Sequence, residues 1–172
     1  ISKYCTLMAQ AMGLNAQECE LVALASPLHD IGKIGIPDNI LLKPGRYTPD
    51  EFEVMKTHSL IGAQILEDSQ SPVMQMARTI ALTHHERWDG TGYPRGLKGD
   101  MIPLVGQICS ICDVFDALIS KRIYKDAWSL HDAVKIIIAE KGKQFNPALV
   151  DKFEQLLPKF IEIAKTHSDS TG

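Results

Sequence analysis

With 172 residues, the chain is long enough to bury a full hydrophobic core in one domain of ordinary size. Its 18 basic and 21 acidic side chains leave a net charge of −3, without the basic stripe of a general nucleic-acid binder; a DNA or RNA polymer is not expected as a partner, whereas a small phosphate ester held by a metal and a few basic groups fits. No apolar run approaches the roughly 18 residues needed to cross a bilayer, no signal-peptide pattern opens the chain, and Cys5, Cys19, Cys109 and Cys112 do not form a disulfide framework, so a soluble cytoplasmic protein is expected.

Helical spacing governs most of the chain. Ile1, Tyr4, Cys5, Met8 and Met12 share a face up to Gly13, and because this pattern is already running at residue 1, the chain is expected to begin inside a helix, with further sequence before it. Asn15 and Glu18 form a capping pair for a second helix, whose apolar face Leu21, Leu24, Ala25 and Leu28 leads into His29-Asp30; Gly32, Gly35 and Pro37 end it. A loop of about a dozen residues then reaches Thr48-Pro49-Asp50-Glu51, a cap, an N1 proline and a capping-box glutamate that predict a helix carrying Met55, His58, Gly62 and Leu66 inward.

Ser71-Pro72 repeats the start signal for a helix with Val73, Met76, Ala77, Ile80, Ala81 and His84 in one stripe. Glu86 to Pro103, rich in glycine, is a long loop of the kind that carries function. Helices return from Leu104 through Ile119, from Ser129 to Gly142 and after Asn146-Pro147, with Pro158 expected to kink or break the last. The class is all-α, a bundle of about six to eight helices over residues 1–165, with a polar tail over 166–172.

The chemistry lies in His29-Asp30, His58, His84-His85 and Asp113. Their spacing is too wide for a zinc finger and suits helices converging on two metals. Neighbouring helical side chains point about 100° apart, so His29 and Asp30 reach one centre only where the backbone bends, a bend the following glycines can supply, or where a carboxylate bridges two ions. Mixed nitrogen and oxygen donors suit iron, manganese or zinc better than magnesium or calcium. Lys33, one turn beyond Asp30, places an ammonium where it can steady a phosphate.

Other candidates have plainer readings. A single histidine on an apolar face is usually core, and it is the company of the other five that makes His58 a ligand. A buried Asp113 needs a cation or a cap, and the metal is preferred. His131, His167, the Met residues and Lys141-Gly142-Lys143 read as surface or filling, and Cys109 with Cys112, lacking a second pair, as core.

Two stretches, His29-Asp30-Ile31-Gly32-Lys33-Ile34-Gly35-Ile36-Pro37-Asp38 and His84-His85-Glu86-Arg87-Trp88-Asp89-Gly90-Thr91-Gly92-Tyr93-Pro94, resemble the signatures of HD-GYP domains, a branch of the HD phosphohydrolases. The resemblance continues through Ile102-Pro103-Leu104, Asp113–Leu118, Arg122-Ile123-Tyr124-Lys125 and Phe145-Asn146-Pro147, nearly the entire chain. It implies a cyclic di-GMP phosphodiesterase yielding linear pGpG or, after a second cleavage, GMP, with His29, Asp30, His58, His84, His85 and Asp113 as ligands for two or three divalent ions, iron or manganese foremost. It further implies Asp30 as the bridging carboxylate, Lys33 as the phosphate-side lysine, and Arg122 and Lys125 as substrate contacts; Tyr93 shapes the pocket or braces the loop.

The family's further upstream histidine, and the glutamate of some members, are not found between Ile1 and Gly13, and Ile123 stands where proline is common. An upstream receiver or sensory domain, a diguanylate cyclase partner and a homodimer are the associations that the resemblance suggests. The alternatives are a phosphodiesterase for another cyclic dinucleotide, or a non-catalytic module that binds cyclic dinucleotides or docks on a regulatory protein.

Overall fold

The computed structural model describes residues 1–120 and 130–168, with side chains through Thr166. Helix α1 (Ser2–Ala11) buries Tyr4, Cys5, Met8 and Ala9 at helical spacing. Helix α2 (Ala16–Ala25) opens on the expected capping box: Glu18 N–H donates to Asn15 Oδ1 at 2.9 Å, and Asn15 N–H donates to Glu18 Oε2 at 2.8 Å. Such a cap stabilises a helix start by about 1 kcal/mol.

The buried face of α2 is Cys19, Val22 and Ala25, whereas Leu24 is 54% exposed. This corrects the leucine face read from the sequence. The helix lies between α1 and α6, and small side chains let three helices approach where leucines would hold them apart. It also ends earlier than expected, at Ala25, because Pro27 enters a 3-10 turn at Ser26–Leu28; a second 3-10 turn follows at Ile31–Gly35.

The stretch before Thr48 is not all loop: α3 (Asp38–Leu41) buries Ile40 there, in a small cluster with Ile36 and Met55. Helix α4 (Pro49–Lys56) begins on the Thr48–Glu51 capping box, and α5 (His58–Ile65) follows after Thr57, where one 3-10-type bond to Val54 O interrupts what the sequence presents as one helix. The inward positions still hold, since Met55, His58, Gly62 and Leu66 are all buried.

Helix α6 (Pro72–Thr83) and helix α7 (Leu104–Ser120) form the centre. Ile108, Cys109, Ile111, Cys112 and Phe115 of α7 are wholly enclosed by a core reaching α1, α2, α6, α8 (Leu130–Ala139) and α9 (Pro147–Ser168). Cys109 and Cys112 are thus core residues, as expected, while His131 is exposed. Tyr4, Phe115, Phe153 and Phe160 form an aromatic knot, each burying a side chain worth about 1.5–3 kcal/mol.

Phe153 and Phe160 flank Pro158, and α9 continues through it to Ser168 rather than breaking; these two buried anchors hold the segment in register across the lost backbone bond. The helix also continues past residue 165, where a tail was expected. Among the described residues the only extended pairing is the bridge Lys141–Phe145, so the architecture is all-α.

Candidate metal centre

Two close backbone approaches assemble the site. A Cβ on Gly32 would lie 1.9 Å from His58 O and 2.4 Å from Gly62 N, so the Asp30–Lys33 segment can sit against α5 only because residue 32 lacks a side chain. A Cβ on Gly106 would lie 2.0 Å from Thr83 Oγ1, which brings α7 onto the end of α6 beside His84. Neither Gly32 nor Gly35 has a positive φ; the turn at His29-Asp30 comes from the two 3-10 segments around it, and the glycines serve packing rather than the bend expected of them.

Three histidines are held in the same way. His29 Nδ1 lies 2.8 Å from Ser26 O, His58 Nδ1 2.6 Å from Met55 O, and His84 Nδ1 3.0 Å from Ile80 O. A carbonyl can only accept, so each Nδ1 carries the proton and donates, and Nε2 faces inward with its lone pair free.

Asp30 divides the donors into two groups. Its Oδ1 is 3.3 Å from His58 Nε2 and 3.7 Å from His84 Nε2, while its Oδ2 is 3.4 Å from His29 Nε2 and 2.6 Å from Lys33 Nζ. Asp113 joins the second group, with Oδ1 3.4 Å from His29 Nε2. His85 joins the first, its Nε2 3.1 Å from that of His58. The six residues singled out as ligands are therefore together, and Lys33 is beside them.

The residues fit a metal on three grounds. Ligand atoms of Asp30, His58, His84 and His85 all lie within 4.8 Å of one another. Asp30 Oδ1 and His84 Nε2 are buried without a hydrogen-bond partner, a costly arrangement in an apolar setting and a natural one around a cation. His58 and His85 also turn ring nitrogens on each other, and such a pair is relieved by a proton or a metal.

The electrostatics agree. Burial works against the charge of Asp30, but His29, His58, His84 and Lys33 outweigh it and hold the carboxyl well below the usual range. Burial likewise opposes protonation of His29, yet Asp113 and Asp30 prevail and raise it to about 10. Burial, with His84 and His58 adjacent, lowers His85 to about 2 and keeps it neutral, the form that binds a metal.

Tyr93 stacks on His85, ring centroids 4.8 Å apart and planes 21° from parallel, and its N–H donates to His85 O at 3.2 Å. Arg122 and Lys125 lie outside the described residues.

A residue that sequence reasoning passed over is Glu86. It is 2% exposed and accepts from the N–H groups of Arg95 (2.7 Å) and Leu97 (2.9 Å), closing the glycine-rich loop on itself. A carboxylate leading into a loop with many unpaired N–H groups was the available signal. Arg87 fastens the same loop to the end of α8, with Nη2 donating to Glu140 at 2.9 Å and Nη1 to Gln144 at 3.1 Å.

A helical bundle that converges histidines and carboxylates on a lysine-flanked centre has the donor set of a metal site. The family model for the HD domain matches residues 1–149, and the chain belongs to that family. It is 48% identical over 162 residues, 94% of its length, to a cyclic di-GMP phosphodiesterase of Thermotoga maritima, and 44% identical over 169 residues, 98% of its length, to a 3′3′-cGAMP-specific phosphodiesterase of Vibrio cholerae. It spans 44% and 32% of those two proteins. Its fold matches a solved cyclic GMP-AMP phosphodiesterase of Vibrio cholerae, with TM-score 0.70 and 21% identity over 96% of this chain and 46% of that one.

Proposed function

We propose that this chain is the metal-dependent phosphodiesterase portion of a longer signalling protein and that it hydrolyses cyclic di-GMP to linear pGpG. The observation that carries the reading is the pair of donor groups about Asp30, with buried Asp30 Oδ1 and His84 Nε2 left without a hydrogen-bond partner. The 48% identity to a protein named as a cyclic di-GMP phosphodiesterase supports the choice of substrate.

Two divalent ions, iron or manganese, held by His29, Asp30, His58, His84, His85 and Asp113 would polarise a phosphoryl oxygen and lower the pKa of the attacking water. Asp30 turns one oxygen toward each donor group, which suits it to bridge them. Lys33, anchored to Asp30 Oδ2 at 2.6 Å and 42% exposed, keeps further N–H donors for a phosphate oxygen and its growing negative charge. Arg122 and Lys125 complete the reading as substrate contacts. An upstream receiver or sensory domain would occupy part of the length by which the relatives exceed this chain, and four free, buried cysteines suit a reducing cytoplasm.

The 44% identity to a cGAMP-specific enzyme favours a second reading, 3′3′-cGAMP as substrate. Metal analysis of anaerobically purified protein, followed by chromatography of its products from both dinucleotides, tests the two together. About two metal equivalents and release of pGpG are expected. Metal-loaded protein that cleaves neither dinucleotide would replace the enzyme by a binding module.

A further inference from the structure

Relatives with similar identity to this chain are named for different cyclic dinucleotides, whose reacting phosphodiester groups are alike and which differ in a base. A metal centre reads the phosphate, so discrimination requires a second contact surface beyond it. Along the rim, the described residues place an aromatic and cationic group beside the centre. Tyr93 lies on His85, and Phe52 of α4 meets Tyr93 edge to face with centroids 6.2 Å apart. Lys56, one turn further along α4, holds Nζ 5.4 Å from the Phe52 ring centroid and 5.8 Å from that of Tyr93.

Phe52 is 44% exposed, a large apolar ring left in water within two ring contacts of a candidate metal ligand. Core packing does not account for it: the small cluster nearby is Ile36, Ile40 and Met55, with Leu41, Tyr47 and Ile61 against it, and Phe52 is not among them. Lys56 donates to Glu53 Oε1 at 2.6 Å, which occupies one of its three N–H donors and leaves two.

Resting on the reading above, we propose that Phe52 and Lys56 form a base subsite for the guanine of a cyclic dinucleotide. Phe52 supplies the stacking surface, and Lys56 donates to O6 and N7. Guanine presents two acceptors on that edge, whereas adenine presents an N6 amino donor in place of O6 and would turn an N–H group toward the ammonium. Stacking alone is indifferent to the base, because every base has a π-face. Affinity is thus assigned to Phe52 and selectivity to Lys56.

The test compares the metal-loaded chain with its F52A, F52W, K56M and K56R variants. It uses equilibrium binding and steady-state turnover of cyclic di-GMP, 3′3′-cGAMP and cyclic di-AMP. F52A should weaken binding of all three by about tenfold or more, with F52W restoring it. K56M should reduce the preference for cyclic di-GMP over cyclic di-AMP by about tenfold, with K56R retaining it.

Circular dichroism and metal content should be unchanged, because both side chains lie outside the core and the ligand set. A preference that K56M leaves within twofold, or an F52A effect that F52W does not reverse, overturns the subsite. Failure of the wild-type chain to cleave any of the three while its binding still shows these variant effects overturns the enzymatic reading alone. Absence of binding to all three overturns both.

Discussion

His29, His58 and His84 are each anchored to a carbonyl three or four residues back along the chain, whereas His85 is held by a ring stacked from a loop. The first three share the rigidity of the helices and turns that carry them, which are packed against the large core. His85 shares the stability of the loop from Glu86 to Pro103, which depends on Glu86, on Arg87 and on the Tyr93 ring. The floor, made by Asp30 and the three anchored histidines, and the rim, the loop from Glu86 to Pro103, are therefore expected to fail differently: damage to the floor costs global stability or the donor set itself, and damage to the rim costs local stability and the placement of His85.

The largest effect falls where the two donor groups meet. Asp30→Asn replaces a carboxylate that faces His29, His58, His84 and Lys33 by a neutral amide, and turnover of cyclic di-GMP should fall by about a thousandfold or more, with loss of bound metal measured on the same sample. Retention of full activity would remove Asp30 from the centre. Next comes Gly32→Ala, whose Cβ meets backbone at 1.9 Å and 2.4 Å and so cannot be relieved by a rotamer change. Denaturant unfolding should show a loss of about 3 kcal/mol or more. Gly92→Ala makes comparable contacts, 2.4 Å from Arg87 N and 2.5 Å from His85 O, but in the loop; activity should fall further than stability. Equal stability losses for the two variants would erase the distinction between floor and rim.

Glu86→Ala probes the rim more gently. It leaves the N–H groups of Arg95 and Leu97 to water and should cost about 2 kcal/mol of local stability. Faster proteolytic cleavage within 87–103, with a smaller change in global unfolding, is the expected signature.

The floor also has a pH signature. His29 rises from 6.5 to about 10 in the metal-free fold, so its contribution to stability is complete below about 6.5 and disappears as pH climbs to about 10. In the same window a metal must displace that proton. Affinity should increase with pH, and calorimetry in buffers of different ionisation enthalpy should detect proton release at pH 8. No proton release would mean that His29 is not a ligand.

Much of this was legible from the sequence for local reasons. The caps at Asn15 and Thr48 depend on residues three apart, and six imidazoles and carboxylates at helix ends or on apolar faces have few explanations other than a metal. What escaped was set by distant neighbours. The inward face of α2 is chosen by the close passage of α1 and α6, which favours Val22 and Ala25 over Leu24. The continuity of α9 across Pro158 is imposed by Phe153 and Phe160. Glu86 owes its importance to N–H groups nine and eleven residues away that no helical or strand period connects.

Tyr93 marks the smallest effect, and it separates two roles that the sequence left open. Burial first, and then the charges of Asp30 and Asp113, push its phenol well above the ordinary value, so the hydroxyl stays protonated throughout the working pH range. If the ring acts by bracing His85, Tyr93→Phe keeps the stack and should change kcat/KM by less than about threefold, while Tyr93→Ala removes it and should cost about tenfold. If the hydroxyl contacts substrate, the phenylalanine variant should instead lose nearly as much as the alanine variant, chiefly in KM. Aromatic pairs are worth about 0.5–1.5 kcal/mol beyond area, enough to hold one imidazole in place and too little to disturb a core in which Tyr93 has no part. The expected result is therefore a fall in activity without a shift in the unfolding midpoint.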